Sequence, residues 1–262
     1  MKKFTKIISI LMAVALLATM FAGCGAEKTA VDSEYVAEDG KMIIGYTDYA
    51  PMNYTDENGE FVGFDTEFAI AVCEKLGYEP EFVEIDWDNK FIALESKSID
   101  CIWNGMTITD EVKMNSNCTK AYVKNAQVVV MTAENAAKYA TAEDMKDLKF
   151  VAEAGSAGAA AIEEAGFENF LEVGAQSDAL LEVASGSADA CVIDITMANA
   201  MTGEGTSYAN LTSTIELTTE EYGIAFRKGS DLTEKVNGII DELKADGTLD
   251  KLAEKYSLTL AL

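Results

Sequence analysis

From Lys41 onward the chain alternates short apolar runs with segments of helical periodicity, and this alternation limits the fold more than any other feature. Apolar runs typical of strands lie at residues 42–46, 81–85 and 99–103. Between the first and second runs, Asp65 is the expected N-cap of a helix that Gly77 ends. Between the second and third runs, a short helix is predicted at residues 91–94. Strands that alternate with helices form βαβ units, so the sequence predicts an α/β fold built on parallel strands.

The same order of elements recurs in the second half of the chain. Strands are predicted at residues 148–152, 170–173 and 190–193, and helices at residues 157–165 and 179–184. Residues 98–102 (SIDCI) and residues 187–192 (SADACV) each follow a short helix and open a strand. This repetition predicts two lobes of similar architecture with a cleft between them.

Two β-rich segments flank the second of these units, and we interpret them as hinge strands. They lie at residues 126–131 and 221–227, and roughly 90 residues separate them, enough for a separate hydrophobic core. Residues 230–256 have apolar positions at helical spacing and need an existing sheet to pack on. We expect lobe one to comprise residues 41–126 and 222–262, and lobe two residues 127–221.

The start of the chain has the pattern of an export signal. Three lysines precede an apolar run at residues 7–20, which is shorter than the roughly 20 residues that a membrane-spanning helix needs. We predict a signal peptide at residues 1–23. The cysteine that follows, Cys24, resembles the lipidated residue of bacterial lipoproteins, with plain secretion as the alternative. Residues 24–40 contain few large apolar residues and are predicted to form a tether outside the cell.

Charge and cysteine content narrow the class of protein. Removal of the signal peptide leaves 239 of the 262 residues and moves the formal charge from −25 to −28. Such an acidic chain is not expected to bind nucleic acid, whose affinity comes from lysine and arginine clusters. Without histidine or a paired CxxC motif, no metal or other cofactor is predicted. We expect the four remaining cysteines to be buried thiols, with Cys101 and Cys118 the only candidate disulfide.

Several motifs in one order resemble the solute-binding proteins of polar amino acid ABC importers, also described as family 3 extracellular solute-binding lipoproteins. They are NGEFVGFD at residues 58–65, GMTIT at 105–109, the segment 189–194, and ADGTLDKL at 245–252. The resemblance covers about Lys41 to Tyr256. It implies a type II periplasmic-binding-protein-like fold with two hinge strands, which closes around one amino acid and delivers it to a membrane permease driven by an ATPase. A monomer is expected.

The resemblance also assigns residues to the two charged groups of an amino acid. Asp194 matches the aspartate that binds the α-ammonium group, and the Gly105 carbonyl and Thr107 hydroxyl match its companions. Asn104 and Met106 belong to the same segment. An alternative role for Asp194 is to cap the helix that begins after it.

The carboxylate site departs from the family pattern. Relatives carry an arginine after the Met-Thr segment, where this chain has Val112. We consider two replacements for that arginine: the helix start at Ser156 and Ala157, whose free N–H groups attract anions, and the side chain of Lys113. For Lys113 the alternative is a solvated surface lysine. A ligand that lacks an α-carboxylate also remains open.

Four residues are candidates for the walls of the side-chain pocket. Tyr49 and Trp103 could bracket a ligand with their rings, although Trp103 could equally be a core residue. Asp48 and Glu153 lie on loops that could reach the same space. If both acids line the pocket, a neutral polar or basic side chain is favoured over an acidic one.

Two other classes of function compete with import. A sensor would use the same ligand-driven closure but dock on a receptor. An enzyme on this fold, such as a dehydratase-like protein, would have to rely on carboxylate pairs, because the chain has no histidine or nucleophile motif. We therefore predict a binding protein without catalytic residues.

Overall fold

The structure is a computed structural model that describes residues 31–262. The predicted signal peptide, the predicted lipidation site at Cys24 and the first part of the predicted tether lie outside the described residues. Within residues 31–262, no helix is both long and apolar enough to cross a membrane.

Thirteen strands and ten α-helices make up the described chain. The strands are β1 Lys41–Tyr46, β2 Tyr54–Thr55, β3 Phe61–Val62, β4 Glu79–Glu84, β5 Cys101–Thr107, β6 Asn117–Cys118, β7 Val123–Asn125, β8 Gln127–Thr132, β9 Phe150–Glu153, β10 Phe170–Val173, β11 Ala190–Asp194, β12 Leu211–Glu216 and β13 Glu220–Phe226. The helices are α1 Asp32–Asp39, α2 Phe64–Leu76, α3 Lys90–Glu95, α4 Asp110–Asn115, α5 Ala133–Ala136, α6 Ala157–Ala165, α7 Gln176–Ala184, α8 Ile195–Met201, α9 Leu232–Ala245 and α10 Thr248–Tyr256.

Two mixed sheets form the centres of two lobes. The first sheet has the order β4-β1-β5-β13-β6, with β7 also paired to β13, and the second has the order β10-β9-β11-β8-β12. In the order given, the first three strands of each sheet run parallel to one another, and the fourth runs antiparallel to the third. The repetition seen in the sequence is therefore a repetition of topology. Helices α1–α4, α9 and α10 belong to lobe one, and helices α5–α8 belong to lobe two.

The chain passes between the two sheets twice, at adjacent positions. Asn125 ends β7 in the first sheet, and Gln127 begins β8 in the second. The return runs from Glu216, the end of β12, to Glu220, the start of β13. The segments predicted as hinge strands are thus the strands β8 and β13 that follow each crossing, and the crossings themselves occupy residue 126 and residues 217–219.

Asp65 does not cap helix α2 as predicted. Gly63 occupies the N-cap position, and the Asp65 side chain is fully buried. Its carboxylate accepts a hydrogen bond from the Gly105 N–H at 2.6 Å and another from the Tyr122 hydroxyl at 2.9 Å. Burial raises the pKa of Asp65 to about 7. The predicted cap is instead a buried contact that fixes the segment around Gly105.

The segment predicted as a tether differs from the structure over residues 32–39, which form helix α1. Val36 of this helix is buried, and Ser33 donates two hydrogen bonds to Asp231. Asp32 pairs with Arg227 at 3.1 Å, and Arg227 also pairs with Asp100 at 3.0 Å. The tether prediction rested on the low content of large apolar residues. It is wrong for residues 32–39, because ion pairs and hydrogen bonds of charged side chains attach helix α1 to lobe one.

All four cysteines in the described part of the chain are unpaired thiols. Three are buried, and Cys118 is half-buried. Cys101 and Cys118, the candidate disulfide, both pair with β13, but on its two opposite edges. The central strand therefore separates the two thiols.

Replacement of Arg227 by methionine tests the attachment of helix α1. The change leaves Asp32 and Asp100 without their buried cation, so we expect the free energy of unfolding in urea to fall by about 3–5 kcal/mol. The control is Lys41→Met, which removes an exposed ion pair with Glu81 and should leave the free energy of unfolding nearly unchanged, because water screens the pair. Equal losses in the two variants would contradict this role for Arg227.

Candidate functional site

A cavity of about 330 Å³ lies between the two lobes, and we call it the interlobe cavity. Lobe one contributes the end of β5, the start of α4 and the turn before α3, and lobe two contributes the ends of β9 and β11 and the start of α6. Eight of the residues predicted for the site line it: Asn104, Gly105, Met106, Thr107, Glu153, Ser156, Ala157 and Asp194. Strand ends in both lobes thus meet at one place, as expected for open α/β sheets.

A larger crevice of about 550 Å³ lies beside the crossing segments. Its walls include Lys124, Glu216 and Lys255, and none of the residues predicted for the site. It also lacks the buried carboxylates of the interlobe cavity, so the interlobe cavity is the better candidate for a ligand-binding site.

Asp194 lies at the end of β11 and is 4% exposed. Its carboxylate accepts hydrogen bonds from the side-chain amides of Asn125, Gln127 and Gln176. Burial and the nearby charge of Glu220 raise its pKa to about 7. Although Asp194 occupies the N-cap position of α8, its side chain makes no capping bond. The carboxylate is therefore held by amides rather than used for capping.

Glu220 is a carboxylate at this site that the sequence analysis missed. One of its oxygens, Oε1, accepts hydrogen bonds from the Thr107 hydroxyl at 2.8 Å and from Asn125 Nδ2 and Gln127 Nε2 at 2.6 Å each. Asn125 and Gln127 therefore bridge Glu220 and Asp194. The alternation of strand β13 was the available signal, because it places Glu220 on the same face as the buried Tyr222.

Glu153 ends strand β9 and contributes a second buried carboxyl group to lobe two. It is 2% exposed, and its Oε1 atom has no hydrogen-bond partner among the described residues. Burial raises its pKa to about 8. A buried oxygen without a partner on the wall of a cavity is a position where a donor from a bound molecule would be favoured.

Lys90 and Trp87 also line the cavity, and the sequence analysis assigned no role to either. Lys90 is the first residue of α3 and is 4% exposed. Its ammonium group donates to the Trp87 carbonyl at 3.1 Å and, across the lobes, to the Gly155 carbonyl at 2.8 Å. Burial lowers the pKa of Lys90. The sequence around Lys90 contains no signal that predicts burial of this lysine.

The start of helix α6 faces the cavity from lobe two. Ser156 is its N-cap, and the Ser156 hydroxyl accepts a hydrogen bond from the Ala159 N–H at 3.1 Å. Gly155 has φ +65°, and a Cβ there would lie 2.8 Å from an Asp88 oxygen of lobe one. A glycine therefore allows the two lobes to approach each other at the edge of the cavity.

The two predicted aromatic walls are not part of the cavity lining. Trp103 is fully buried in lobe one, where its ring meets Phe68 edge-on at a centroid distance of 5.0 Å. Tyr49 is also buried, and its hydroxyl bonds to those of Thr196 and Tyr222. The core alternative given for Trp103 is the one observed. Trp87 supplies the aromatic surface of the cavity instead.

Two predicted charged residues also lie away from the cavity lining. Asp48 is exposed, and Lys113 is an exposed residue of α4 that lies 3.8 Å from Asp110. Lys113 is one helical residue beyond Val112, which does line the cavity. The rotation of about 100° per residue along a helix turns Lys113 towards solvent.

Comparison with known proteins identifies the group to which this molecule belongs. Residues 42–259 match the bacterial extracellular solute-binding proteins, family 3. The chain belongs to this family. The resemblance to polar amino acid solute-binding proteins is thereby confirmed, as is the two-lobed α/β fold that it implied.

Individual relatives of this solute-binding protein bind different amino acids. The arginine-binding extracellular protein ArtP of Bacillus subtilis is 31% identical over 259 residues, which cover 94% of this chain and 96% of that protein. The L-cystine-binding protein TcyJ of Escherichia coli is 28% identical over 257 residues, which cover 94% and 92%. Among solved structures, a mutant of ArgBP from T. maritima has a TM-score of 0.80 and 32% identity, with 86% and 98% of the two chains covered.

The raised pKa values predict how stability depends on pH without a ligand. The carboxyl groups of Asp194 and Glu153 rise from ordinary values of 3.8 and 4.5 to about 7 and about 8. The folded chain then keeps protons that the unfolded chain has lost. This stabilisation is complete below about pH 4 and is lost as pH rises to about 8.

We expect the free energy of unfolding in urea to fall by more than about 1 kcal/mol between pH 5 and pH 8. The double variant Asp194→Asn, Glu153→Gln should show a smaller fall. The control double variant Glu168→Gln, Glu172→Gln removes the same charge from exposed positions of lobe two and should keep the wild-type slope. The prediction fails if both double variants change the slope equally.

Proposed function

We propose that this protein is the extracytoplasmic binding subunit of an ABC importer and that it captures a basic amino acid by closure of the two lobes. The observation that carries the proposal is the charge of the interlobe cavity. Its lining contains two buried acids, Glu153 and Asp194, and one cationic residue, Lys90; three further acids of the lining are exposed, and these are Asp110, Glu111 and Glu164. A ligand that leaves water for this space must bring positive charge.

The buried carboxylates offer two separate positions for that charge. Asp194, together with Glu220 and Thr107, forms an acidic group beside the crossing segments, which suits an α-ammonium group. Glu153 has an unpartnered buried oxygen and suits a cationic side chain. The Trp87 ring on the same cavity adds a surface that favours a cation. A basic amino acid carries positive groups at both of its ends.

Names of relatives support this choice without deciding it. The Bacillus subtilis protein is described as arginine-binding and a structure of T. maritima ArgBP as arginine-bound, whereas the Escherichia coli protein is described as cystine-binding. Since the relatives differ in ligand, the charge of this chain's own cavity carries the argument. Neutral polar amino acids are the runner-up class.

Arginine and citrulline form a matched pair of ligands for testing the cationic side-chain position. They have nearly the same shape, but the citrulline side chain is neutral. By titration calorimetry at pH 8 we expect arginine to bind at least about tenfold more tightly than citrulline, because a buried charged hydrogen bond contributes about 1.5–3 kcal/mol. Glu153→Gln should remove most of this preference.

The control for that variant is Glu164→Gln, which changes an exposed carboxylate at the rim of the same cavity. Water and salt screen an exposed charge, so the preference for arginine should change by less than about threefold. Equal affinities of the wild-type protein for the two ligands would contradict a basic ligand. Lysine and ornithine should be titrated alongside.

Uptake measurements test the import role and the anchor together. We expect deletion of the gene to remove most of the uptake of labelled basic amino acid at low concentration, and a wild-type copy to restore it. A Cys24→Ala copy should release the protein into the medium, because the acyl chains that hold it at the membrane cannot be attached. Normal uptake in the deletion strain, combined with tight binding by the purified protein, would point to the sensor role instead.

A further inference from the structure

Lys90 is a buried lysine that forms no direct ion pair among the described residues; burial lowers its pKa, and the charges of Glu111 and Glu153, which lie further away, offset this only in part. None of the ion pairs in that part of the chain includes it, and both of its hydrogen-bond acceptors are backbone carbonyl oxygens, of Trp87 and Gly155. An ammonium group has three N–H donors, so one donor is left over. The rings of Trp87 and Phe91 lie 5.3 Å and 5.0 Å from its nitrogen and enclose it. A buried cation in this condition is stabilised by an anion from outside the chain.

The position of Lys90 adds a second source of positive potential. The carbonyl that it contacts belongs to Gly155, directly before the N-cap Ser156 of helix α6. The first N–H groups of a helix have no acceptor within the helix, and the Ser156 hydroxyl satisfies that of Ala159 only. The N–H groups of Ala157 and Gly158 have no acceptor in the part of the chain that the structure describes. The ammonium of lobe one and the helix start of lobe two therefore lie next to each other.

The rest of the cavity lining offers an anionic group no second cationic side chain. Val112, where relatives have an arginine, is on the wall but carries no charge. The other charged residues of the lining are carboxylates, which repel an anion. An amino acid that fills this cavity must still place its carboxylate somewhere, and Lys90 is the one cationic side chain that the lining offers it.

We propose that Lys90, together with the start of helix α6, binds the α-carboxylate of the captured amino acid in place of the missing arginine. The proposal rests on the proposed function, because it assumes an amino acid in the interlobe cavity. The carboxylate of the ligand accepts hydrogen bonds from the remaining N–H of the Lys90 ammonium group and from the N–H groups at the start of helix α6. Lys90 already contacts lobe two through Gly155, so a bound carboxylate adds a second link between the lobes at the same point.

A cycle of ligand and residue changes tests this assignment. The ligands are the basic amino acid that binds most tightly and its decarboxylated amine, for example arginine and agmatine. We expect the wild-type protein to bind the amino acid about ten- to a hundredfold more tightly than the amine, as loss of a charged hydrogen bond implies. In Lys90→Met the amino acid should lose that factor, while the amine changes by less than about threefold.

The control is Lys113→Met, the same substitution at the exposed lysine beside Val112, and it should keep the wild-type preference. Thermal unfolding of Lys90→Met serves as a folding check, because an apolar side chain of similar length replaces a buried charge and should leave the midpoint unchanged or higher. We therefore expect Lys90→Met to be a folded protein that binds the amino acid and its decarboxylated amine with similar affinity.

Three outcomes would overturn the proposal. If Lys90→Met keeps the preference for the amino acid, the carboxylate is bound elsewhere. If both ligands weaken by the same factor, Lys90 acts only through its contact with lobe two. If the wild-type protein binds no amino acid at all, the proposed function fails first, and this result is distinguishable because it appears before any variant is compared.

Discussion

Two amide side chains at the first crossing between the lobes hold two carboxylates together, and the rest of the site depends on this arrangement. Asn125 ends the last short strand of lobe one, and Gln127 begins the first strand of lobe two. Each donates to both Asp194 and Glu220. Two carboxylates that share donors in a buried place repel each other, which contributes to the raised pKa of Asp194. A cation that enters the cavity relieves this repulsion and gains the attraction of both groups.

Arrangement of charge, rather than its amount, explains how such an acidic chain can carry out recognition. Its one arginine, Arg227, is not part of the cavity lining and instead joins helix α1 to the β5 side of lobe one through Asp32 and Asp100. The cavity is left with a single lysine as its cation. Any preference for a charged ligand is therefore set by a small number of buried groups, while the exposed acids contribute mainly to solubility.

The sequence predicted the architecture well because the fold is encoded locally. The order of strands and helices, the repetition between the halves and the helix at residues 157–165 follow from apolar periodicity and from stop signals such as Gly77 and Gly166. The sequence placed Asp194 and Thr107 at or just after strand ends and Glu153 on a loop, whereas Glu153 is the last residue of β9; the structure brings all three to one cavity. Periodicity cannot show how two distant side chains share one space. Lys90, Trp87 and Glu220 were missed for that reason, Tyr49 was expected on the cavity wall but is buried away from it, and for Trp103 only the core alternative agrees with the structure.

Helix α1 gives the molecule a mechanical asymmetry. It is fastened to lobe one by buried contacts, whereas the chain reaches lobe two only through residue 126 and residues 217–219. A pull applied at the N-terminus is therefore carried by the lobe that contains both chain ends of the described fold. Such a force reaches lobe two only through the two crossing segments and through contacts between the lobes, such as that of Lys90 with Gly155.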